Sequence, residues 1–215
     1  MEATVTGLLE WSAACLPLKG QIQSGDCFVV KLFSQEALVA VVDGIGHGQE
    51  AAAAAELATH LIETNTGELS LNALINECHA KLRGTRGAVL GLGLLNAAED
   101  TLTWAGVGDI DGLLLRRRLS SGPPNLERHE TLLTAAGVVG RQLPRVPIST
   151  LRLDYGDLLV LATDGIRPGF EMNIRGGEST EQIARKILND YALETDDALV
   201  LVARYLHERK SLHFS

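Results

Sequence analysis

One stretch constrains this chain more than any other. Residues 37–42 are a continuous apolar run (Ala-Leu-Val-Ala-Val-Val) that stops at Asp43, and the turn Gly44-Ile45-Gly46-His47-Gly48 follows it. An unbroken apolar segment bounded by turn residues predicts a strand buried on both faces, here Ala37 to Val42. The alanine-rich segment after the turn predicts a helix from about Gly48 to Thr64. Glycines at 44, 46 and 48 permit positive φ and let backbone approach a ligand closely. Asp43 is therefore expected at the end of a rigid element with bare backbone beside it, a place suited to a cation or a phosphate. Asp-Gly after a strand is also ordinary turn chemistry, so the rest of the chain has to decide.

Three further acidic signals share that context. Ser24-Gly25-Asp26 precedes the apolar strand Cys27 to Phe33, Thr163-Asp164-Gly165 ends the strand Leu158 to Ala162, and Thr195-Asp196-Asp197 precedes the strand Ala198 to Tyr205. Asp43 and Asp164 each end a strand, whereas Asp26 and Asp196 each begin one. In antiparallel neighbours the end of one strand lies beside the start of the next, so the four carboxylates can converge on one edge. Hard oxygen ligands gathered without cysteine suit magnesium or manganese rather than zinc or copper. Such acids repel one another unless cations lie among them.

Between these signals the order of elements excludes a doubly wound nucleotide fold. A first strand is expected at Thr4 to Ala14, and Ser34-Gln35-Glu36 reads as a hairpin loop. A second helix, Leu71 to Leu82, follows a Ser70 cap. Ala88 to Leu95, Thr101 to Val107 and Gly112 to Arg118 read as three consecutive strands joined by links of hairpin length. Ser120 to Asn125 and Gly137 to Pro147 read as loops, with a short strand between them. Thr150 to Leu153 is a further strand, and Ser179-Thr180-Glu181-Gln182 is a capping box opening the helix Ile183 to Tyr191. Many hairpins, two helices in the middle and one near the end imply an α+β layered sandwich of antiparallel sheets with helices outside.

Composition narrows function more than fold. At 215 residues and 46% apolar, the chain is read as one domain, 1–207, with a polar tail at 208–215. A net charge of −8 argues against a nucleic-acid or anionic-membrane surface, and Arg116-Arg117-Arg118 reads as the solvated end of a strand. No apolar run is long enough to span a bilayer, and no signal peptide precedes the domain. Three cysteines (Cys15, Cys27, Cys78) without C-x-x-C spacing read as reduced thiols in the core of a cytoplasmic protein.

With these residues assembled, Asp-Gly-Ile-Gly-His-Gly at 43–48, Thr-Asp-Gly at 163–165 and Asp-Asp at 196–197 resemble the ordered motifs of the PPM-type metal-dependent protein serine/threonine phosphatases. The branch they resemble is the bacterial SpoIIE-like one. Ser-Gly-Asp at 24–26, Thr-Arg-Gly-Ala at 85–88 and Gly-Val-Gly-Asp at 106–109 fall in the expected order, so the likeness covers nearly the whole chain. Its short length, without a sensory domain, resembles the stressosome phosphatases of that branch. The resemblance implies an αββα sandwich and two Mn²⁺ or Mg²⁺ ions, with a third in some members. By position, Asp43 would bridge the two metals, with the Gly44 carbonyl on one, Asp164 and Asp196 on the other, and Asp26 acting through metal-bound water. Asp109 matches the third-metal position, although a plain turn residue is an equal reading. The implied activity is hydrolysis of phosphoserine or phosphothreonine by a metal-activated water, with stressosome scaffold proteins of the STAS type as partners.

Departures from the pattern are specific. Ala198-Leu199 stands where the family has a hydrophobic residue and then threonine. The phosphate-binding arginine of the larger relatives has no clear counterpart; Arg83 or Arg86 is the available substitute, and a solvated loop arginine is the plainer reading. His47 reads as a tolerated turn residue. Two alternatives remain open: a degenerate phosphatase that only binds a phosphoprotein, which the full set of carboxylates opposes, and a GHKL-type ATP-binding kinase, which lacks its asparagine-bearing helix ahead of Asp43.

Overall fold

The computed structural model describes residues 2–65, 70–117, 128–175 and 177–207. The loop expected at Ser120 to Asn125 and the tail at 208–215 lie outside the described residues. Among the described residues, eleven strands form two antiparallel sheets. One has the order β1 (Glu2–Val5), β2 (Leu9–Leu16), β11 (Ala198–Tyr205), β10 (Leu158–Ala162), β7 (Asp111–Arg116) and β8 (Arg128–Leu132). The other runs β3 (Asp26–Leu32), β4 (Glu36–Gly44), β5 (Ala88–Asn96), β6 (Thr101–Val107) and β9 (Ser149–Arg152).

The apolar run that opens the argument is the second strand of the second sheet, and its alternation shows why it carries no polar residue. Val39 and Val41 point into the layer between the sheets, among Trp104, Leu114, Leu159 and Leu201. Leu38, Ala40 and Val42 point the other way, against α1 (Gln49–Thr64) and α2 (Leu71–Lys81). On the far side, α3 (Thr180–Tyr191) lays Ile183, Ala184 and Ile187 on Val160, Val200 and Val202. The result is the helix–sheet–sheet–helix sandwich that the element order implied. Ser179 caps α3 through Gln182 N, and Gln182 returns a bond to Ser179 N, so the capping box forms as read.

Four expectations need correction. The single strand at Thr4 to Ala14 is a hairpin: Thr6 N donates to Leu9 O at 2.7 Å and splits it into β1 and β2. The three strands from Ala88 to Arg118 are not a meander. β5 and β6 pair, but the link at 108–110 leaves the second sheet, and β7 pairs with β10 in the first. Buried Ile110 fills the space between the sheets at this crossing. Arg116 is not a solvated strand end; it is 22% exposed and its guanidinium bonds Asp157, itself 1% exposed, at 2.8 Å and Glu130 at 2.6 Å. Asp157 also accepts from Arg117 N and Asp154 N, so a buried carboxylate organises that turn. Finally, Cys15 is exposed, whereas Cys78 is buried in the helix-side core, where desolvation pushes its thiol up to about 12.

Candidate metal centre

The acidic residues collect at one end of the sandwich, and the topology explains how. Asp26 opens β3 and Asp43 lies near the end of β4; the two are register partners across that antiparallel ladder. Asp164 follows the end of β10 and Asp196 precedes β11, the strand that pairs with β10. Asp109 arrives by the crossing between β6 and β7 that the hairpin reading missed. Thus each of five acids comes from a strand end, and both sheets contribute.

Three of them meet most closely. One carboxylate oxygen from each of Asp43, Asp109 and Asp164 lies within 4.8 Å of the other two. Asp43 is half-buried, while Asp109 and Asp164 are exposed. Asp26 and Asp196 fall outside that trio, yet both contribute to the repulsion that Asp43 feels. Asp109, which sequence alone left level with a turn residue, is therefore central, and Asp196 stands one step back with its Oδ1 accepting from Asp197 N at 2.9 Å.

The electrostatics match that crowding. Burial, reinforced by Asp26, Asp164, Asp109 and Asp196, pushes the Asp43 carboxyl up to about 9. Burial also raises Asp26 to about 7, against the lowering effect of a hydrogen bond from Thr163. Asp164 is raised by burial and by Asp109 and Asp196. Acids this close cannot all be ionised near neutral pH without positive charge among them. The donors are carboxylate oxygens, with no thiol or imidazole in the cluster, so the residues present fit a hard divalent cation.

Two glycines make the approach possible. A Cβ on Gly44 would lie 2.0 Å from Ala51 O, so the first turn of α1 rests directly on the backbone beside Asp43. A Cβ on Gly165 would lie 1.8 Å from Asp197 O, which brings the Asp196-Asp197 loop against Asp164. Both Asp-Gly pairs thus serve as docking points for another backbone.

Some residues of the site were not legible beforehand. Thr163 is fully buried; its hydroxyl donates to Asp26 Oδ2 at 2.8 Å and accepts from Leu199 N at 2.9 Å, linking the two sheets behind the carboxylates. Its only sequence signal was its place between a strand and Asp164. His47 is exposed on the glycine turn, and Arg83 is exposed beyond α2. Arg86 is placed differently. Its Nε bonds Glu50 Oε2 at 2.6 Å, and the guanidinium lies over the turn so closely that a Cβ on Gly46 would sit 2.7 Å from Nη1. Among the described residues, neither Nη has a protein acceptor.

The geometry agrees with relatives. Residues 34–206 match the family described as Stage II sporulation protein E (SpoIIE). Phosphoserine phosphatase RsbX of Bacillus subtilis (strain 168) is 24% identical over 185 residues, which are 86% of this chain and 88% of that protein. A chain solved in work on "The bacterial stressosome: a modular system that has been adapted to control secondary messenger signaling" is 32% identical, with a TM-score of 0.80, 91% of this chain covered and 99% of that one. The crystal structure of RsbX in complex with magnesium superposes with a TM-score of 0.82 at 21% identity, over 95% of this chain and 98% of that one. The match to the family over most of the chain, on a sandwich whose strand ends gather five aspartates, makes this a phosphatase domain of the SpoIIE family, a branch of the PPM-type metal-dependent protein phosphatases.

Proposed function

We propose that this protein removes phosphate from phosphoserine or phosphothreonine on a stress-signalling protein, with stressosome scaffold proteins of the STAS type as its partners. The observation that carries the reading is the trio Asp43, Asp109 and Asp164, whose oxygens lie within 4.8 Å of one another. Similarity to RsbX and to a chain from stressosome work supports the choice of substrate. No helix among the described residues is long and apolar enough to cross a membrane, in keeping with activity on cytoplasmic proteins.

In this reading Mn²⁺ or Mg²⁺ would be held by Asp43, the Gly44 carbonyl, Asp164 and Asp196, with Asp43 shared between two ions. Asp26 acts through water, and Asp109 contributes to a third position or completes the trio. Bound cations supply an acidified water and neutralise charge on the phosphate. The chain's own residues do the rest. Asp26 and Asp43, raised by burial, would give up their protons as cations bind, since a carboxylate ligand must be ionised. Thr163 holds Asp26 in place. Arg86, with two unpaired Nη groups over the glycine turn, offers charged donors to a phosphate oxygen.

The test is release of phosphate from a phosphorylated STAS-type scaffold protein, and from p-nitrophenyl phosphate, with and without added Mn²⁺. Manganese-dependent turnover is expected, lost in Asp43→Asn. A folded wild type that turns over neither substrate with any divalent metal sinks the proposal.

A further inference from the structure

Asp197 stands beside Asp26, as the first of the neighbouring acids that raise its carboxyl. It is 2% exposed and among the described residues forms no ion pair. Both carboxylate oxygens are occupied by backbone: Leu18 N donates to Oδ1 at 2.8 Å, and Gly25 N donates to Oδ2 at 2.9 Å. Each oxygen keeps a further lone pair, but the two bonds fix the direction in which the carboxylate faces. Its partners lie on the loop that delivers Asp26.

The connection runs one step further. The Gly25 carbonyl, on the residue whose N–H Asp197 holds, accepts from Gly44 N at 3.0 Å. Gly44 N belongs to the peptide that follows Asp43. On its other side, Ile45 N donates to Gly87 O at 3.1 Å. Each of the two peptides flanking Gly44 thus donates a bond to a loop residue, and the first depends on where Gly25 sits. The space around Gly25 is filled as well: a Cβ there would lie 3.1 Å from Asp197 Oδ2 and 3.2 Å from Ala51 Cβ.

We propose that Asp197 is a positioning residue for the metal centre: by gripping Gly25 it sets the carbonyl that holds Gly44, and so fixes the spacing of Asp26 and Asp43. The inference rests on the reading of the acidic cluster as a cation site, but its mechanical half does not. Loss of a group that orients a metal ligand from behind typically costs about ten- to a hundred-fold in metal affinity, because a ligand free to swing loses its advantage over water.

Asp197→Asn is the informative substitution. It keeps the shape but leaves one neutral oxygen, for which Leu18 N and Gly25 N must compete, so both charge-assisted bonds are weakened or lost. The comparison protein is Ile187→Ala, which weakens the α3 core far from the site. Two readouts are needed, amide exchange in the metal-free proteins and Mn²⁺ affinity by calorimetry. In Asp197→Asn the Gly25 and Gly44 amides are expected to exchange faster while that of Ile45 does not, and Mn²⁺ binding to weaken roughly ten- to a hundred-fold. Ile187→Ala should leave the Mn²⁺ affinity at the wild-type value even if its melting temperature falls as far. Unchanged protection of Gly44 in Asp197→Asn overturns the proposal, with or without metal. Wild-type Mn²⁺ affinity in that variant overturns it too. A wild type that binds no Mn²⁺ refutes the cation reading instead, and the exchange data still decide whether Asp197 sets Gly44.

Discussion

Asp26 and Asp43 face each other as register partners across the β3–β4 ladder, so two carboxylates stand side by side at the open end of a sheet. Directly opposed like charges destabilise a strand pair, and here the effect is strengthened by burial and by three more acids. Both carboxyls are raised, Asp26 to about 7 and Asp43 to about 9.

The first prediction follows from the sign of that shift. An acid whose folded value lies above its unfolded one binds more protons in the folded state, so stability falls as pH rises through the window between the two values. The metal-free protein is expected to melt at lower temperature at pH 9 than at pH 6, a range in which ordinary carboxylates are already ionised. Saturating Mn²⁺ should flatten or reverse the slope, since the ionised cluster is the form that binds. Thermal melts in chelator and in Mn²⁺ check this. An equal slope in both conditions would mean the cluster does not govern it.

Asp43→Asn should separate stability from activity. The amide keeps the shape and cannot ionise. It is spared the cost of holding protonated at pH 8 a carboxyl raised to about 9, so the metal-free variant is expected to melt higher than wild type. The same change removes the ligand at the centre of the trio and should lower Mn²⁺-dependent turnover by at least about 10²-fold. Paired melting and kinetic measurements on one preparation test both halves. A variant that is less stable without metal contradicts the electrostatic account.

These relationships were partly legible before any coordinates. The run 37–42 could only be a strand covered on both faces, and the alternation of Asp-first and Asp-last strands placed four acids at one edge of an antiparallel arrangement. The link at 108–110 was not legible, because three residues suffice for a hairpin and for a step between sheets, and nothing local says which. That ambiguity is why Asp109 read equally as a third-metal residue and as a plain turn residue, although its carboxylate meets those of Asp43 and Asp164. Arg116 misled for a related reason: its partner Asp157 is 41 residues away, and a basic run shows no sign of a distant buried acid. Asp197 sat in plain view beside Asp196, but which of two adjacent acids turns inward depends on contacts with residues 18 and 25.

Thr163 yields a third prediction. Its hydroxyl both donates to Asp26 and accepts from Leu199 N, with no exposure to water. Thr163→Val preserves the shape and strands both partners, at a cost of about 1–3 kcal/mol for the unsatisfied groups. Loss of a bond that lowers Asp26 should move its carboxyl further above about 7. Urea denaturation at pH 7 measures the first effect, and the pH dependence of Mn²⁺ binding the second. Thr163→Ser, which retains the hydroxyl, is expected to recover most of both; if Ser and Val behave alike, the hydroxyl is not the cause.

Arg86 gives the last prediction, and it turns on a difference between stability and binding. Its bond to Glu50 joins side chains that are 42% and 73% exposed, and such surface pairs contribute about 0–1 kcal/mol. Arg86→Ala should therefore leave the melting temperature nearly unchanged. Towards substrate the expectation is different, because the pair holds the guanidinium over Gly46 with both Nη groups unclaimed by protein. Removing charge-assisted donors to a phosphate should raise KM for a phosphopeptide, and the inhibition constant for inorganic phosphate, by roughly ten-fold. Glu50→Gln, which frees the arginine without deleting it, should produce a smaller change in the same direction. A wild-type KM in Arg86→Ala, measured at saturating Mn²⁺, would return Arg86 to the role of a loop arginine and leave the phosphate to the cations alone.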